Sequence, residues 1–161
     1  MARRLLVLGL LALSFGGAAA AALGAIAADP MQAQEWWLSH VGADRATAPG
    51  PGVPITIVDS GVDPTHPEFA GRPNTTYFND QTVFGREEYH GTIVASVAAA
   101  PTNGVGMVGV YPQAALQVQD ASPDPRAITD PAAVTGILAA AAHCPGVINL
   151  SFGSVSQDPV L

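Results

Sequence analysis

Basic side chains are scarce: Lys and Arg together number six in 161 residues, against thirteen Asp and Glu, for a formal net charge of -7 and a pI near 4.7. Too few cations remain to build the stripe that phosphate recognition needs, which argues against nucleic acid as a partner. Cysteine is scarcer still. Cys144 stands alone, so no intrachain disulfide can form and an oxidising compartment offers no internal staple. A single Cys beside an Ala-rich stretch reads as a small buried apolar residue before it reads as a nucleophile. Charge of either sign is thin, 12% of residues where soluble domains carry roughly 25%. No internal repeat is present, and no low-complexity tract beyond the Ala-rich start.

Turn formers are plentiful, with 17 Gly and 14 Pro, which suits short buried elements joined by tight turns. At the N-terminus, Arg3-Arg4 precedes an apolar stretch from Leu5 to Ala28 that contains Ala25-Ile26-Ala27, the small-residue pattern of a signal-peptidase site. Residues 1–28 therefore read as a secretory signal, and the protein as secreted. The alternative is an uncleaved membrane anchor facing outward, long enough to span a bilayer but Ala- and Gly-rich in its second half rather than Leu-rich. Residues 29–54 form an N-terminal arm, in which a short helix around Gln34–Leu38 gives way to a Pro/Gly stretch. The rest is long enough for one domain with a modest core.

Ile55–Val58 is β-branched and apolar throughout rather than alternating, as in a parallel strand buried on both faces, and it runs into Asp59. Thr75–Phe78 suggests a second strand. From His90 to Ala100, apolar residues at Ile93, Val94, Val97 and Ala98 predict one face of a helix, stopped by Pro101. A third strand follows at Leu116–Val118. A second helix spans Ala132–Ala142, with Asp130 as N-cap and Pro131 at the first helical position. After Pro145-Gly146, Val147–Ser151 predicts a fourth strand. Strands alternating with helices define an α/β fold with a central parallel sheet.

Two short motifs carry chemistry. Asp59 ends a buried strand, where open α/β sheets place their ligand crevices, and Gly61 permits the sharp exit. It suits an orienting carboxylate; taken alone, it would serve equally as a loop cap. His90 opens a helix, where the backbone dipole disfavours imidazolium and keeps the ring neutral, as a general base requires. Taken alone, a His there is more often a cap or a surface residue.

Together, Ile57-Val58-Asp59-Ser60-Gly61, His90-Gly91-Thr92 and Val147-Ile148-Asn149-Leu150-Ser151-Phe152-Gly153 resemble the first half of the catalytic domain of the subtilisin-like serine proteases. The similarity runs from about Trp36 to Gly153 and includes His66-Pro67-Glu68-Phe69 and Gly106-Met107-Val108-Gly109-Val110. The resemblance implies a three-layer α/β fold, truncated here after residues 55–161 of the peptidase domain. It also implies a serine endopeptidase acting on peptide or protein substrates, with no cofactor needed for catalysis. Asp59 would hold His90, and His90 would deprotonate a serine. Ser151, Phe152 and Gly153 match the segment that binds extended substrate by main-chain pairing. The family's oxyanion Asn and its Gly-Thr-Ser nucleophile belong to a C-terminal half that is not in this sequence. Loss of the serine from such a triad costs about a million-fold, so the chain by itself is expected to be inert until that half is supplied.

Ile93 stands where the family commonly has a His, and Ser96 where it commonly has a Gly; neither removes a catalytic group. Glu68 and Asn103 fall where many relatives bind calcium with loop carbonyls, an oxygen set suited to that ion; the other reading is an ordinary surface loop. Gly104-x-Gly106-x-x-Gly109 spells a dinucleotide fingerprint, but it follows a helix rather than a strand and Pro112 blocks the helix it should open. Two further functions stay open at this level. One is an inactive module that binds extended peptides without cutting them. The other is a hydrolase whose metal is held by Asp59, Asp63, His66 and His90, although no His-x-x-x-His spacing accompanies them. Asn74-Thr75-Thr76 is a formal glycosylation sequon.

Overall fold

The structure, a computed structural model, describes residues 28–47, 50–81, 90–122 and 128–153. The signal or anchor expected at residues 1–28 lies outside them except for Ala28. No helix among the described residues is long and apolar enough to cross a membrane.

Strand β1 (Ile55–Asp59) is buried from Thr56 onward, as its unbroken β-branched run predicts. It lies between β3 (Leu116–Asp120) and β4 (Val147–Asn149), while β2 (Thr75–Tyr77) pairs on the far side of β3. All pairs are parallel, in the order β2-β3-β1-β4. Successive residues of β1 point to opposite faces, and each face has its own core. Ile57 joins Leu116, Val118, Val62 and Phe69 beneath helix α2 (His90–Ala99), which contributes Ala95 and Ala99. Val58 joins Ala121 beneath helix α3 (Asp130–Ala142), which contributes Ala140. Two helices flanking one parallel sheet make the expected three layers.

Several local expectations are corrected. Helix α2 turns Gly91, Thr92, Ala95, Ser96 and Ala99 inward, while Ile93 and Val97 are 60% and 43% exposed. Val94 and Ala98 are only partly buried. Small residues face the core because the helix lies too close to its neighbours for larger ones: a Cβ on Gly91 would collide with the carbonyl of Gly61, and one on Gly109 with the backbone of Ala99 and Ala100. The N-cap of α3 is Thr129, whose hydroxyl accepts from the Ala132 amide, and Asp130 is already helical. Strand β3 extends to Asp120, and β4 stops at Asn149 rather than Ser151. Cys144 is exposed, not buried, in a left-handed conformation (φ 52°) between α3 and β4.

The N-terminal arm carries a short helix, α1 (Trp36–His40), between two 3-10 turns. It is fastened to the Gly104–Gly109 loop by the Met31 amide, which donates to the Gly106 carbonyl at 2.8 Å, and by two buried carboxylates, Asp29 and Glu35. Arg72 is a second buried tie. Its buried guanidinium donates to the carbonyls of Ala99, Pro73, Pro112 and Ala114 and to Thr75 Oγ1, at 2.9–3.2 Å. One side chain thereby joins the end of α2 to the starts of β2 and β3, and burial pulls its pKa down.

Candidate active site

Asp59 is the last residue of β1, level with Asp120 at the end of β3, so it emerges at the carboxyl edge of the sheet. The chain turns away through Gly61 in a left-handed conformation (φ 86°), which an L side chain resists. Helix α2 begins at His90. Because Gly91 allows α2 to approach the Asp59 turn closely, His90 Nδ1 reaches 2.8 Å from Asp59 Oδ1. The carboxylate can only accept, so His90 donates its Nδ1 proton, which leaves Nε2 as the free lone pair.

The two partners differ in environment. Asp59 is 1% exposed, and its Oδ1 also accepts from the Ser60 amide at 2.7 Å and the Ser60 hydroxyl at 3.2 Å. His90 is 56% exposed. A buried carboxylate therefore orients an accessible imidazole. Asp59 Oδ2 is buried and has no hydrogen-bond partner.

The expected substrate segment lies beyond the end of β4. Ser151 and Gly153 are exposed, and the Ser151 hydroxyl donates to Asn149 Oδ1 at 2.8 Å. Phe152 is partly buried against the Val58, Ala121 and Ala140 cluster, which anchors this segment to the sheet without making it a strand. None of the described serines offers a free hydroxyl beside His90 Nε2: Ser60 is engaged with Asp59, and Ser96 is buried with its hydroxyl donating to the Thr92 carbonyl.

Glu68 is buried, with Oε1 accepting from the Met107 amide at 2.7 Å and Oε2 unpaired. Burial pushes its carboxyl above the ordinary value; the Met107 hydrogen bond opposes the rise, and the charges of Asp29 and Glu35 add to it. Asp29 and Glu35 repeat the pattern. Asp29 Oδ1 accepts from three consecutive amides, Asn103, Gly104 and Val105, at 2.9–3.1 Å, and Glu35 Oε1 accepts from Val108 at 3.0 Å; the second oxygen of each is buried and unpaired. Asn103 is exposed, and its Oδ1 accepts from the Val105 amide at 2.8 Å. The unpaired acceptor oxygen of Glu68 thus suits a cation, and Asn103 Oδ1, which accepts one bond, keeps a second lone pair. Asp29 and Glu35 were not singled out by the sequence, because a carboxylate in a polar arm carries no local signal of the amides it will meet.

No group of three or more His, Cys, Asp or Glu side chains among the described residues is placed to hold a metal ion. His66 instead uses Nδ1 to accept from the Glu68 amide at 3.3 Å. The dinucleotide-like glycines lie in the loop after α2, where the amides of Gly104 and Val105 are occupied by Asp29.

A buried carboxylate holding an exposed imidazole at the carboxyl edge of a parallel sheet is an arrangement able to orient a general base. The sequence pattern of the Subtilase family matches residues 50–160, and the chain belongs to that family. Fervidolysin of Fervidobacterium pennivorans is 31% identical over 134 residues, covering 73% of this chain and 19% of that protein. Thermitase of Thermoactinomyces vulgaris is 34% identical over 109 residues, covering 66% and 39%. The Aeromonas sobria extracellular serine protease is 31% identical over 115 residues, covering 56% and 18%. Among solved structures, a psychrophilic subtilisin-like protease from an Antarctic Pseudoalteromonas superposes with a TM-score of 0.61 over 77% of this chain and 30% of its own, at 24% identity. Fervidolysin superposes with a TM-score of 0.57 over 86% and 23%, at 26% identity. The chain therefore spans well under half the length of these relatives.

Proposed function

We propose that this chain supplies the acid and base of a secreted serine endopeptidase whose nucleophile comes from sequence beyond these 161 residues. The observation that carries the reading is the 2.8 Å contact between His90 Nδ1 and buried Asp59. In the cycle this geometry supports, His90 Nε2 takes the proton of an incoming serine hydroxyl as it attacks a peptide carbonyl. Asp59 stabilises the resulting imidazolium, which then protonates the leaving amine. Ser151–Gly153 would lie along the substrate backbone. The apolar stretch before Ala28 supports secretion, and the Aeromonas relative is described as extracellular.

The test is complementation. The chain alone should show no hydrolysis of a denatured protein substrate above buffer. Fused to a C-terminal segment of a relative that contains its Gly-Thr-Ser motif, it should gain a rate that His90→Ala lowers at least a thousand-fold. Hydrolysis by the isolated chain that disappears with His90→Ala would refute the requirement for an external nucleophile.

We also propose that Glu68 contributes to a structural calcium site, on the strength of its buried, unpaired Oε2. A bound divalent ion would supply positive charge against Glu68 and its acidic neighbours. The chain's own part is to hold that carboxylate rigidly against the Met107 amide.

A further inference from the structure

We infer that Ser60 is a positioning residue for the dyad, its hydroxyl fixing the direction of the Asp59 carboxylate and coupling it to the first turn of the helix that carries His90. This rests on the reading of Asp59 and His90 as acid and base. A carboxylate turns readily about its terminal torsion, so burial alone does not decide which oxygen faces the imidazole. All three hydrogen bonds to Asp59 are made to Oδ1, two of them by Ser60, while Oδ2 has none. The direction of the Ser60 hydroxyl is itself constrained. Ser60 Oγ accepts the Gly91 amide at 3.3 Å, which occupies a lone pair and leaves the hydroxyl proton to point at Asp59 Oδ1, 3.2 Å away. Gly91 immediately follows His90. One hydroxyl therefore links the carboxylate to the backbone that bears its partner.

A second tie joins the same two segments without touching the carboxylate: the Asp63 amide donates to buried Thr92 Oγ1 at 2.9 Å. Thr92→Val loosens the same junction and so provides a control.

The experiment is NMR on the full chain with 15N-labelled histidine, reading the ratio of Nδ1–H to Nε2–H tautomer in neutral His90 together with hydrogen exchange of the Gly91 amide. Wild type should hold His90 in the Nδ1–H form. Ser60→Ala should lower the tautomer ratio about tenfold, the scale of one hydrogen bond to a charged group, and speed Gly91 exchange. Ser60→Thr, which keeps the hydroxyl, should restore both. Thr92→Val should speed exchange of the Asp63 amide and leave the ratio unchanged. If Ser60→Ala does not fold, Ser60→Cys, similar in size but a weak donor, takes its place. A ratio unchanged within twofold in the Ser60 variant, or lowered equally by Thr92→Val, overturns the positioning role while leaving the dyad intact. A wild-type His90 in the Nε2–H form overturns the dyad itself, and this inference with it.

Discussion

At the scale of single residues, burial and charge set the behaviour of each acid. Asp59 is 1% exposed, and its Oδ1 collects three donors. Glu68 has one amide on Oε1, an unpaired Oε2 and two like charges nearby, and its pKa is raised from 4.5. A raised folded-state value means that folding favours the protonated form. The stability linked to Glu68 is thus fully present below its unfolded value and is lost as pH climbs through the folded one. In chelator, the advantage of Glu68→Gln over wild type should therefore grow between pH 4 and pH 7, which urea titrations at several pH values would show. If the calcium proposal is correct, millimolar calcium should reverse that order at pH 7, because the amide offers the ion no charge.

At the scale of elements, close approach decides what each helix can carry. Gly91→Ala would place a methyl against the Gly61 carbonyl and within 3.2 Å of Asp59 Cβ. A loss of about 1–3 kcal/mol is expected from such overpacking, and the Nδ1–H population of His90 should fall as α2 is pushed away from β1. Chemical denaturation and histidine NMR would measure the two effects separately. Arg72 holds the other end of α2. Arg72→Leu strips the donors from the carbonyls of Ala99 and Ala114, and a loss of about 1–3 kcal/mol for each acceptor left buried without a partner is expected, read by urea denaturation. Arg72→Lys should recover only part of it, since an ammonium cannot reproduce the planar fork.

At the scale of the whole molecule, the sheet has an open side. Among the described residues β4 pairs only with β1, and Val147 at its start is 53% exposed; Ile93, Val97 and Leu150 also leave apolar surface in water. Parallel sheets are normally covered on both faces, and a bare strand edge invites pairing with another chain. The chain by itself should therefore self-associate as its concentration rises, which sedimentation velocity would detect. Val147→Lys, placing a charge on the open edge, should shift the distribution toward monomer. Monomeric behaviour of wild type at high micromolar concentration would contradict this expectation.

Strand order along the chain, the parallel sheet and the candidate pair Asp59 and His90, which the structure brings into contact, were legible in the sequence, because each depends on local signals: unbroken β-branched runs, Pro and Gly punctuation, and short residue motifs. Tertiary structure alone decided which face of α2 turns inward, since the number of apolar residues on a helix face does not reveal how near the neighbouring backbone will come. It also decided that Cys144 is exposed, that β4 ends at Asn149, and that Asp29 and Glu35 pin the arm to a loop some seventy residues away. Those outcomes depend on groups distant in sequence meeting in space. A carboxylate in a polar segment looks the same whether it faces water or three backbone amides, and only folding distinguishes the two.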